Sequence, residues 1–348
     1  MCSVAEMGAY FQDDLPLMSE HPPDFEEKVS TLYGNVKVTI YGNRKLSPIV
    51  TFHDMGLDSE TNFQNFFQYA TAGEFLSNFC VYNINAPGQE VDALPLSENY
   101  IYPTMDGLAQ IVENCVEHFR LAEFIGLGVG VGANVMLRYA LQNQVKVDAL
   151  ILVNCVATTA GWIEWFYQQI NMRSLRTRGM TNFTVDYLLW HHFGNHIVQS
   201  PLDTVRRYRS YFQHLPNPQN LAAFIESYLN RTSIVFSRDG TVGPKLNVPV
   251  LQIVGGDSAF VDDSVEVNTR LNPADSEWLK LSGSGGLVLD DKPEGVAQAI
   301  ILFLQGRGYV PTTNVQDMVR KISIHSSYDS GDISDDLLAT LKNVNETC

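Results

Sequence analysis

The sequence has few basic residues, no long apolar run and no secretory signal pattern. Its 348 residues hold 23 Lys and Arg against 39 Asp and Glu, a formal net charge of −16. Nucleic-acid binding is not expected, because phosphate contacts require clustered Lys and Arg. No stretch reaches the ~18 consecutive apolar residues of a membrane span, and the N-terminus has no basic segment followed by an apolar one. We therefore expect neither a transmembrane nor a secreted protein.

Cysteine is also scarce. The five cysteines do not stand at the paired spacings of zinc or redox motifs; they are Cys2, Cys80, Cys115, Cys155 and Cys348. We predict free thiols in a reducing, cytoplasmic location, and no metal or other cofactor. Cys155 ends a predicted strand and is a conceivable nucleophile, but without a partner base we expect its thiol to be buried and inert.

The charge that is present is unevenly distributed. Residues 1–30 hold seven acidic residues against Lys28, and residues 311–348 hold six against three basic ones. Between residues 157 and 245 the balance reverses, with nine basic and five acidic residues. We predict an acidic N-terminal segment over 1–30, a folded domain over 31–310 and a Ser- and Asp-rich tail over 311–348 that is expected to be disordered.

Short β-branched runs alternate with helical patterns through most of the chain. From Pro48 onward these runs are nearly continuously apolar, as in parallel strands covered on both faces. Amphipathic patterns over 103–120, after Gly132 and over 293–305 predict crossover helices. About ninety helical residues follow Cys155. We therefore predict an α/β protein with a mostly parallel, doubly wound sheet and a helical cap insertion at about 157–245. The predicted strands are 36–42, 47–54, 79–85, 124–129, 148–155, 248–255 and 277–283.

One stretch, FIGLGVGVGANVMLRYAL (124–141), predicts a strand that turns sharply into a helix. This is the setting of the hydrolase nucleophile elbow, in which a reactive side chain stands between two glycines. The central residue here is Gly130. Glycine removes the reactive atom and relaxes the backbone strain together, so we predict elbow geometry without covalent chemistry.

The chain resembles the N-myc downstream-regulated (Ndr) family. The elbow carries this resemblance together with five further motifs. They are VTFHDMGLDSETNFQNFF (50–67), NINAPGQE (83–90), YPTMDGLAQIV (102–112), LILVNCVATTAGWIEW (150–165) and LFLQGRGY (302–309). The resemblance implies an α/β-hydrolase fold without hydrolase activity. It also implies a cytoplasmic signalling or trafficking adaptor with protein partners, acting in growth control, differentiation or stress response. A small-molecule or lipid carrier, and a hydrolase with a non-standard site, stay open.

The other catalytic positions of the hydrolase pattern also depart from it. Counting from the glycine that ends the strand VPVLQIVG places Ser258 at the acid position, with Asp257 one residue out of frame. The loop before the last helix has Gly286 where the histidine usually stands. The nucleophile, the acid and the base are therefore all missing from their usual positions, so we expect no proton shuttle. A candidate pocket remains, formed by His53, Asp54, Gly130, Val131 and Asp257.

Several of these residues could have either a functional or a purely structural role. Gly128, Gly130 and Ala133 fit a dinucleotide-binding pattern, but the next strand ends in Asn154-Cys155 instead of an acidic residue. The amides of 130–132 could bind an anion, although close packing of helix on strand is the simpler reason for the glycines. His53 and Asp54 could be an acid/base pair or a structural hydrogen-bonded pair.

His192 and His196 have the i, i+4 spacing of metal ligands on a helix. Gly194 and Asn195 interrupt that helix, and no acidic residue completes the set. We therefore predict packing or surface roles for both histidines and no metal site.

Two regions are candidates for partner binding. Arg206, Arg207, Tyr208 and Arg209 mix cations with an aromatic ring on a cap helix, which favours a protein interface or contact with an acidic membrane surface. The alternative is a solvated helix whose arginines pair with the acidic body. In the tail, the resemblance implies phosphorylation, and phosphate there could dock on the basic cap. The candidate phosphosites are Ser323, Ser326, Ser327 and Ser330. The oligomeric state is not predicted.

Overall fold

The computed structural model describes residues 22–68 and 77–310. Eight strands form one sheet in the order β1-β2-β4-β3-β5-β6-β7-β8. Strand β2 runs antiparallel to both of its neighbours, and the other adjacent strands are parallel. The prediction of a mostly parallel α/β sheet is confirmed. The strands are β1 (Phe25–Thr31), β2 (Gly34–Tyr41), β3 (Ser47–Phe52), β4 (Phe79–Ile84), β5 (Phe124–Val129), β6 (Val147–Val153), β7 (Val250–Gly255) and β8 (Ser276–Leu281).

Helices connect the parallel strands and cover both faces of the sheet. Thr104 caps the start of helix α2 (Met105–His118), because its hydroxyl accepts a hydrogen bond from the Gly107 amide at 3.2 Å. Pro293 occupies the first turn of helix α10 (Pro293–Gln305). The helices in the described ranges are α1 (Ser59–Gln68), α2 (Met105–His118), α3 (Val131–Gln142), α4 (Trp162–Arg178), α5 (Asn182–Phe193), α6 (Leu202–Gln213), α7 (Pro218–Leu229), α8 (Val261–Arg270), α9 (Val288–Asp291) and α10 (Pro293–Gln305).

Two apolar cores lie on opposite faces of the sheet. Alternate residues of β5 show the division: Ile125 and Leu127 pack with α1 and α10 in one core. On the other face, β5 presents Gly126 and Gly128, and α2, α3 and cap residues pack in the second core. A Cβ at Gly128 would meet the Ala133 amide nitrogen at 2.6 Å. The missing side chain therefore allows α3 to lie directly on the sheet.

The folded part begins earlier than the sequence predicts. Residues 25–30 fall in the predicted acidic segment 1–30, yet they form β1 and pair with β2 from Phe25 to Thr31. The strand was missed because it lies at the sheet edge and only Val29 is fully buried, so most of its residues are polar. Residues 1–21 and 311–348, including the four candidate phosphosites, lie outside the described residues.

The cap, which we define as helices α4 to α7, lies between β6 and β7. Arg138 of α3 anchors the segment that directly follows the cap: its side chain is 5% exposed and donates from Nη1 to the Thr232 hydroxyl at 3.0 Å. The same guanidinium contacts the Thr232 carbonyl oxygen, the Asn134 amide oxygen at 2.8 Å and the Asp106 carboxylate at 2.9 Å. No helix in the described ranges has the length and hydropathy that a membrane crossing requires.

Candidate functional site

The turn from β5 into α3 consists of Gly130 alone. Its backbone angles are φ 53° and ψ −111°, a conformation that L residues adopt only under strain. The Gly130 amide donates to the Val153 carbonyl oxygen at 2.9 Å, which fixes the turn to β6. A Cβ at Gly132 would lie 1.9 Å from the Phe52 carbonyl oxygen, so the turn also sits tightly against β3. The predicted elbow geometry is present, with no side chain at its tip.

The carboxylate of Asp54 fills the space above this turn. Asp54 follows β3 and is 6% exposed. Its Oδ1 accepts hydrogen bonds from the amides of Val131 at 2.9 Å and Met55 at 2.7 Å. In hydrolases of this fold, the oxyanion hole consists of the amide that follows the nucleophile and a second amide from the loop after this strand. The Asp54 carboxylate therefore occupies the oxyanion hole.

Asp54 is held in its charged form. Burial alone would raise its pKa, but the His191 and His192 rings and the Val131 amide lower it to about 2. The carboxylate thus places a permanent negative charge where a hydrolase stabilises a transient one. The carboxylate does more than repel an oxyanion, since it takes the oxyanion's place.

His53 is a structural residue of the strand end. Its Nε2 accepts from the Ala86 amide at 2.9 Å, so its Nδ1 carries the proton and donates to the Asp54 carbonyl oxygen at 2.8 Å. The ring is fully buried, and burial lowers its pKa, which keeps it neutral. The side chains of His53 and Asp54 do not form the acid/base pair that was one alternative; the contact runs through the Asp54 backbone.

Two histidines at the end of α5 close the site from the cap side. The Nε2 of His191 lies 3.0 Å from Asp54 Oδ2, and the Nε2 of His192 lies 2.8 Å from the Met55 carbonyl oxygen. His192 also stacks on Phe212, with ring centroids 5.4 Å apart and planes at 17°. Burial and the neighbouring His191 lower the pKa of His192 to about 4, so its ring is neutral near pH 7.

The positions of the catalytic acid and base are also closed. Ser258 is buried, and its hydroxyl accepts from the Phe260 amide at 3.2 Å. A Cβ at Gly286 would lie 2.7 Å from the His192 carbonyl oxygen, which also accepts a hydrogen bond from the Leu287 amide at 3.0 Å. The end of α5 therefore covers the loop where a catalytic histidine would stand.

The structure brings together Asp54, Gly130 and Val131 of the candidate pocket and leaves Asp257 apart. Asp257 follows β7 and lies against the cap, with Oδ2 3.4 Å from Nδ1 of His196. The cavity beside the elbow measures about 10 Å³, roughly the space of one water molecule. Small-molecule sites usually need several hundred Å³. The residues lining this cavity include Thr61, Asn62, Val129, His192, Gly286 and Asp290.

Two sequence interpretations are answered by these contacts. The Val131 amide at the start of α3, part of the proposed anion site, already binds Asp54, so an intramolecular carboxylate fills that site. The metal interpretation paired His192 with His196, whereas the structure places His191 beside His192 and supplies Asp54 as the acidic residue. His191 was missed because its partner lies 137 residues earlier in the chain. The adjacent histidines in the apolar run LLWHHF were the available signal.

The described cysteines are free and buried, namely Cys80, Cys115 and Cys155. Burial raises the pKa of Cys115 to about 12, and burial also raises the pKa of Cys155. Both thiols stay protonated near neutral pH, as predicted for Cys155.

The predicted partner face needs one correction. Arg206 and Arg207 are exposed on α6, and Arg209 is partly exposed and lies 2.8 Å from the Asp186 carboxylate. Tyr208, however, is fully buried, and its hydroxyl donates to the Asp290 carboxylate. The helical period explains this: Tyr208 and Phe212, four residues apart, share the buried stripe of α6. Tyr208 therefore belongs to the core and not to an interface.

Replacement of Asp290 by Asn is expected to change the pH dependence of stability. Burial raises the pKa of Asp290 to about 6, although the hydrogen bond from Tyr208 acts to lower it. A carboxyl with a raised folded-state pKa stabilises the fold below about pH 4, and this contribution is lost as the pH rises to about 6. The stability of the wild type minus that of Asp290→Asn should therefore fall between pH 4 and 6, by on the order of 2 kcal/mol. Urea unfolding across this range tests it, and a difference that does not vary with pH would contradict it.

The sheet, the elbow and the covering cap define an α/β-hydrolase-fold protein, and solved structures agree. A thermophilic esterase from Thermogutta terrifontis aligns with a TM-score of 0.65 at 19% identity, over 81% of this chain and 98% of the esterase. An enol-lactonase from Burkholderia xenovorans LB400 aligns with a TM-score of 0.64 at 16% identity, over 80% of this chain and all of the lactonase. Identities this low show the shared fold alone.

Within this class, the chain belongs to the Ndr family. The Ndr family model matches residues 26–311. The protein NDRG3 of Xenopus laevis is 36% identical over 331 residues, which span 91% of this chain and 86% of NDRG3. The protein NDRG2 of Bos taurus is 32% identical over 305 residues, which span 86% of this chain and 83% of NDRG2. The family assignment made from the motifs is confirmed.

Proposed function

We propose that this protein is a catalytically inactive member of the α/β-hydrolase fold that acts by binding other proteins, as a cytoplasmic signalling or trafficking adaptor. The observation that carries the proposal is the Asp54 carboxylate, which takes both amides of the oxyanion hole. A developing oxyanion would have to displace a charged group of the same sign, so the main source of transition-state stabilisation in this fold is absent. In addition, the elbow has no nucleophile, because its central residue is Gly130.

A rate assay tests the absence of catalysis. The wild-type chain is expected to hydrolyse a panel of short-chain esters no faster than buffer alone. Asp257→Ala and His191→Gln variants serve as comparisons, because Asp257 adjoins the acid position at Ser258 and His191 contacts Asp54 beside the elbow. Turnover above background that disappears in either folded variant would contradict the proposal and would favour a hydrolase with a non-standard site.

The partner surface in this proposal is the outward face of α6, formed by Arg206, Arg207 and Arg209. The Arg206 side chain is 69% exposed, and its nearest acidic partner, Asp203, is itself 98% exposed at 3.7 Å. Such an ion pair is worth little, so it leaves the arginine available to a partner. Leu202, 61% exposed, adds an apolar element to the same helix. A protein surface with exposed carboxylates fits this combination, since Arg is a favoured residue at protein interfaces.

Charge reversal is the matching experiment. The triple variant Arg206→Glu, Arg207→Glu, Arg209→Glu is expected to recover its specific partners at least tenfold less in affinity purification from the cells of origin. The matched control reverses three arginines of α4 (Arg173, Arg176 and Arg178). It changes the net charge equally and breaks one ion pair, Arg176 with Glu226. The α6 variant breaks two, because Arg206 and Arg209 each contact an aspartate. Equal recovery by both triple variants would rule out the α6 face.

Phosphorylation of the tail is a further part of this proposal. The candidate sites Ser323, Ser326, Ser327 and Ser330 follow or lie near two basic residues, Arg320 and Lys321. Each phosphate adds about −1.5 to −2 charges and would be attracted to the arginines of α6. Mass spectrometry of protein isolated from its own cells is expected to find phosphate on at least one of these serines, and its absence from all four would remove this part.

A further inference from the structure

Asp54, His191 and His192 converge at one point between β3 and the cap. One ligand-type atom from each residue lies within 4.8 Å of the other two. Asp54 is 6% exposed, and each histidine is 1% exposed. The hydrolase fold explains why a group binds at the position of the Asp54 carboxylate, because that position is the oxyanion hole. It does not account for two imidazoles from a cap helix meeting there.

The ring of His192 presents a bare lone pair to this point. Its Nε2 lies 2.8 Å from the Met55 carbonyl oxygen, which has no proton to donate, so Nε2 carries the proton. In the neutral ring Nδ1 is then an acceptor. Nδ1 lies 3.8 Å from Asp54 Oδ2, which is also an acceptor. Two acceptors this close repel each other, and a cation bound to both removes the repulsion.

The carboxylate is oriented for such a cation. The amides of Met55 and Val131 hold Oδ1, which turns Oδ2 toward the histidines. His192 is fixed in the same way by the Met55 carbonyl. Hydrogen bonds of this kind, which set the rotamer and tautomer of a side chain, are what metal ligands receive from the surrounding protein.

Two of the three distances between donor atoms fall in the range of a shared ion, and the third pair, the two histidines, lies within 4.8 Å. Two ligands that are each about 2.0–2.1 Å from a zinc ion stand about 2.9–4.1 Å apart for angles between 90° and 180°. Asp54 Oδ2 is 3.0 Å from His191 Nε2 and 3.8 Å from His192 Nδ1. His191 has room to adjust, because its Nδ1 has no hydrogen-bond partner within the described residues. Besides its contact with Asp54, the ring makes edge contacts, including one with Phe260 at 4.9 Å between ring centroids.

We propose that Asp54, His191 and His192 bind a divalent transition-metal ion of the Zn²⁺ type. Two imidazoles and one carboxylate are a donor set that zinc and its neighbours prefer. The ion takes the place of the proton on His191 Nε2, and the neutral ring then carries its proton on Nδ1, which has no hydrogen-bond partner within the described residues. Water completes the coordination, as it does at zinc sites where the protein supplies three ligands. The bound ion joins the loop after β3 to α5, so it links the sheet to the cap. This inference does not depend on the adaptor function.

Calorimetric titration of the full chain, freed of metal by a chelator, tests the site with Zn²⁺ alone. Cys2 and Cys348 are replaced by Ser and His21 and His325 by Gln, so that ligands outside the described residues do not contribute. We expect one equivalent of Zn²⁺ to bind. His191→Gln and His192→Gln should each weaken this binding at least tenfold. Co²⁺ in place of Zn²⁺ should give a visible absorption spectrum that both variants lose.

The matched control is His196→Gln, because His196 lies on the same side of the cap and faces Asp257 instead of Asp54. It should bind Zn²⁺ as tightly as the parent chain does. Circular dichroism establishes that each variant is folded before its titration is used. Absence of Zn²⁺ binding by the folded parent chain, or binding that neither His191→Gln nor His192→Gln weakens, would overturn the proposal.

Discussion

Replacement of Gly130 by Ala is expected to destabilise the protein by about 4 kcal/mol. The new Cβ would lie 2.2 Å from the Asp54 carboxylate, which is itself tied to two amides and His191. Displacing a packed group of this kind costs roughly 1–3 kcal/mol. The backbone at residue 130, with φ 53°, adds roughly 1–3 kcal/mol of strain for any residue other than glycine. Urea unfolding followed by circular dichroism measures the loss.

A second substitution separates the two contributions. In the background of Asp54→Gly, the carboxylate is gone, so Gly130→Ala should cost only the strain, about 2 kcal/mol less than in the wild type. Gly295→Ala is the control. Its Cβ would meet Leu281 at an ordinary 3.5 Å within helix α10, so this substitution should be neutral or stabilising by up to about 1 kcal/mol. Equal costs of Gly130→Ala in the presence and absence of Asp54 would show that the carboxylate does not occupy the elbow.

Replacement of Arg138 by Met should lower the free energy of unfolding by about 3 kcal/mol. Methionine fills most of the space but leaves the Asn134 amide oxygen without its donor at 2.8 Å, and it removes both contacts to Thr232. Breaking a buried charged network usually costs 3–5 kcal/mol. The Asp106 carboxylate is 54% exposed and regains water, which places the expected loss at the low end.

The comparison for Arg138→Met is Asp106→Asn. This change keeps the guanidinium and its contacts to Thr232 and Asn134, and it weakens only the half-exposed ion pair. We expect a loss of about 1 kcal/mol or less. If Asp106→Asn cost as much as Arg138→Met, the ion pair, and not the contact between α3 and the segment after the cap, would be the main contribution of Arg138.

The parallel strands were predictable from the sequence because burial on both faces demands continuous apolar runs. Strand β5 is observed over the predicted residues 124–129, and helix α10 over the predicted 293–305. Strand β1 was not predictable on this ground, since an edge strand with one buried residue reads as a polar segment. The burial of Tyr208 could have been predicted from the sequence, because its spacing from Phe212 places both rings on one face of a helix. The neighbouring arginines instead suggested an exposed face.

The candidate site was predictable only in part. The empty elbow follows from one local motif, so Gly130 could be identified without a structure. The partners of Asp54 could not, because Val131 and His191 reach it from elements 77 and 137 residues away. The sequence identified what the hydrolase pattern had lost. It gave no indication of what had moved into the vacated space, since that depends on how the cap packs over the strand ends.

The filled elbow has a consequence for how this chain can evolve. A side chain introduced at residue 130 meets the Asp54 carboxylate, and one introduced at residue 286 meets the His192 carbonyl oxygen at 2.7 Å. Each single substitution toward a hydrolase triad therefore lowers stability before it can contribute any activity. Since natural proteins have little stability in reserve, selection acts against such single steps. Several residues would have to change together for a triad to arise in this chain.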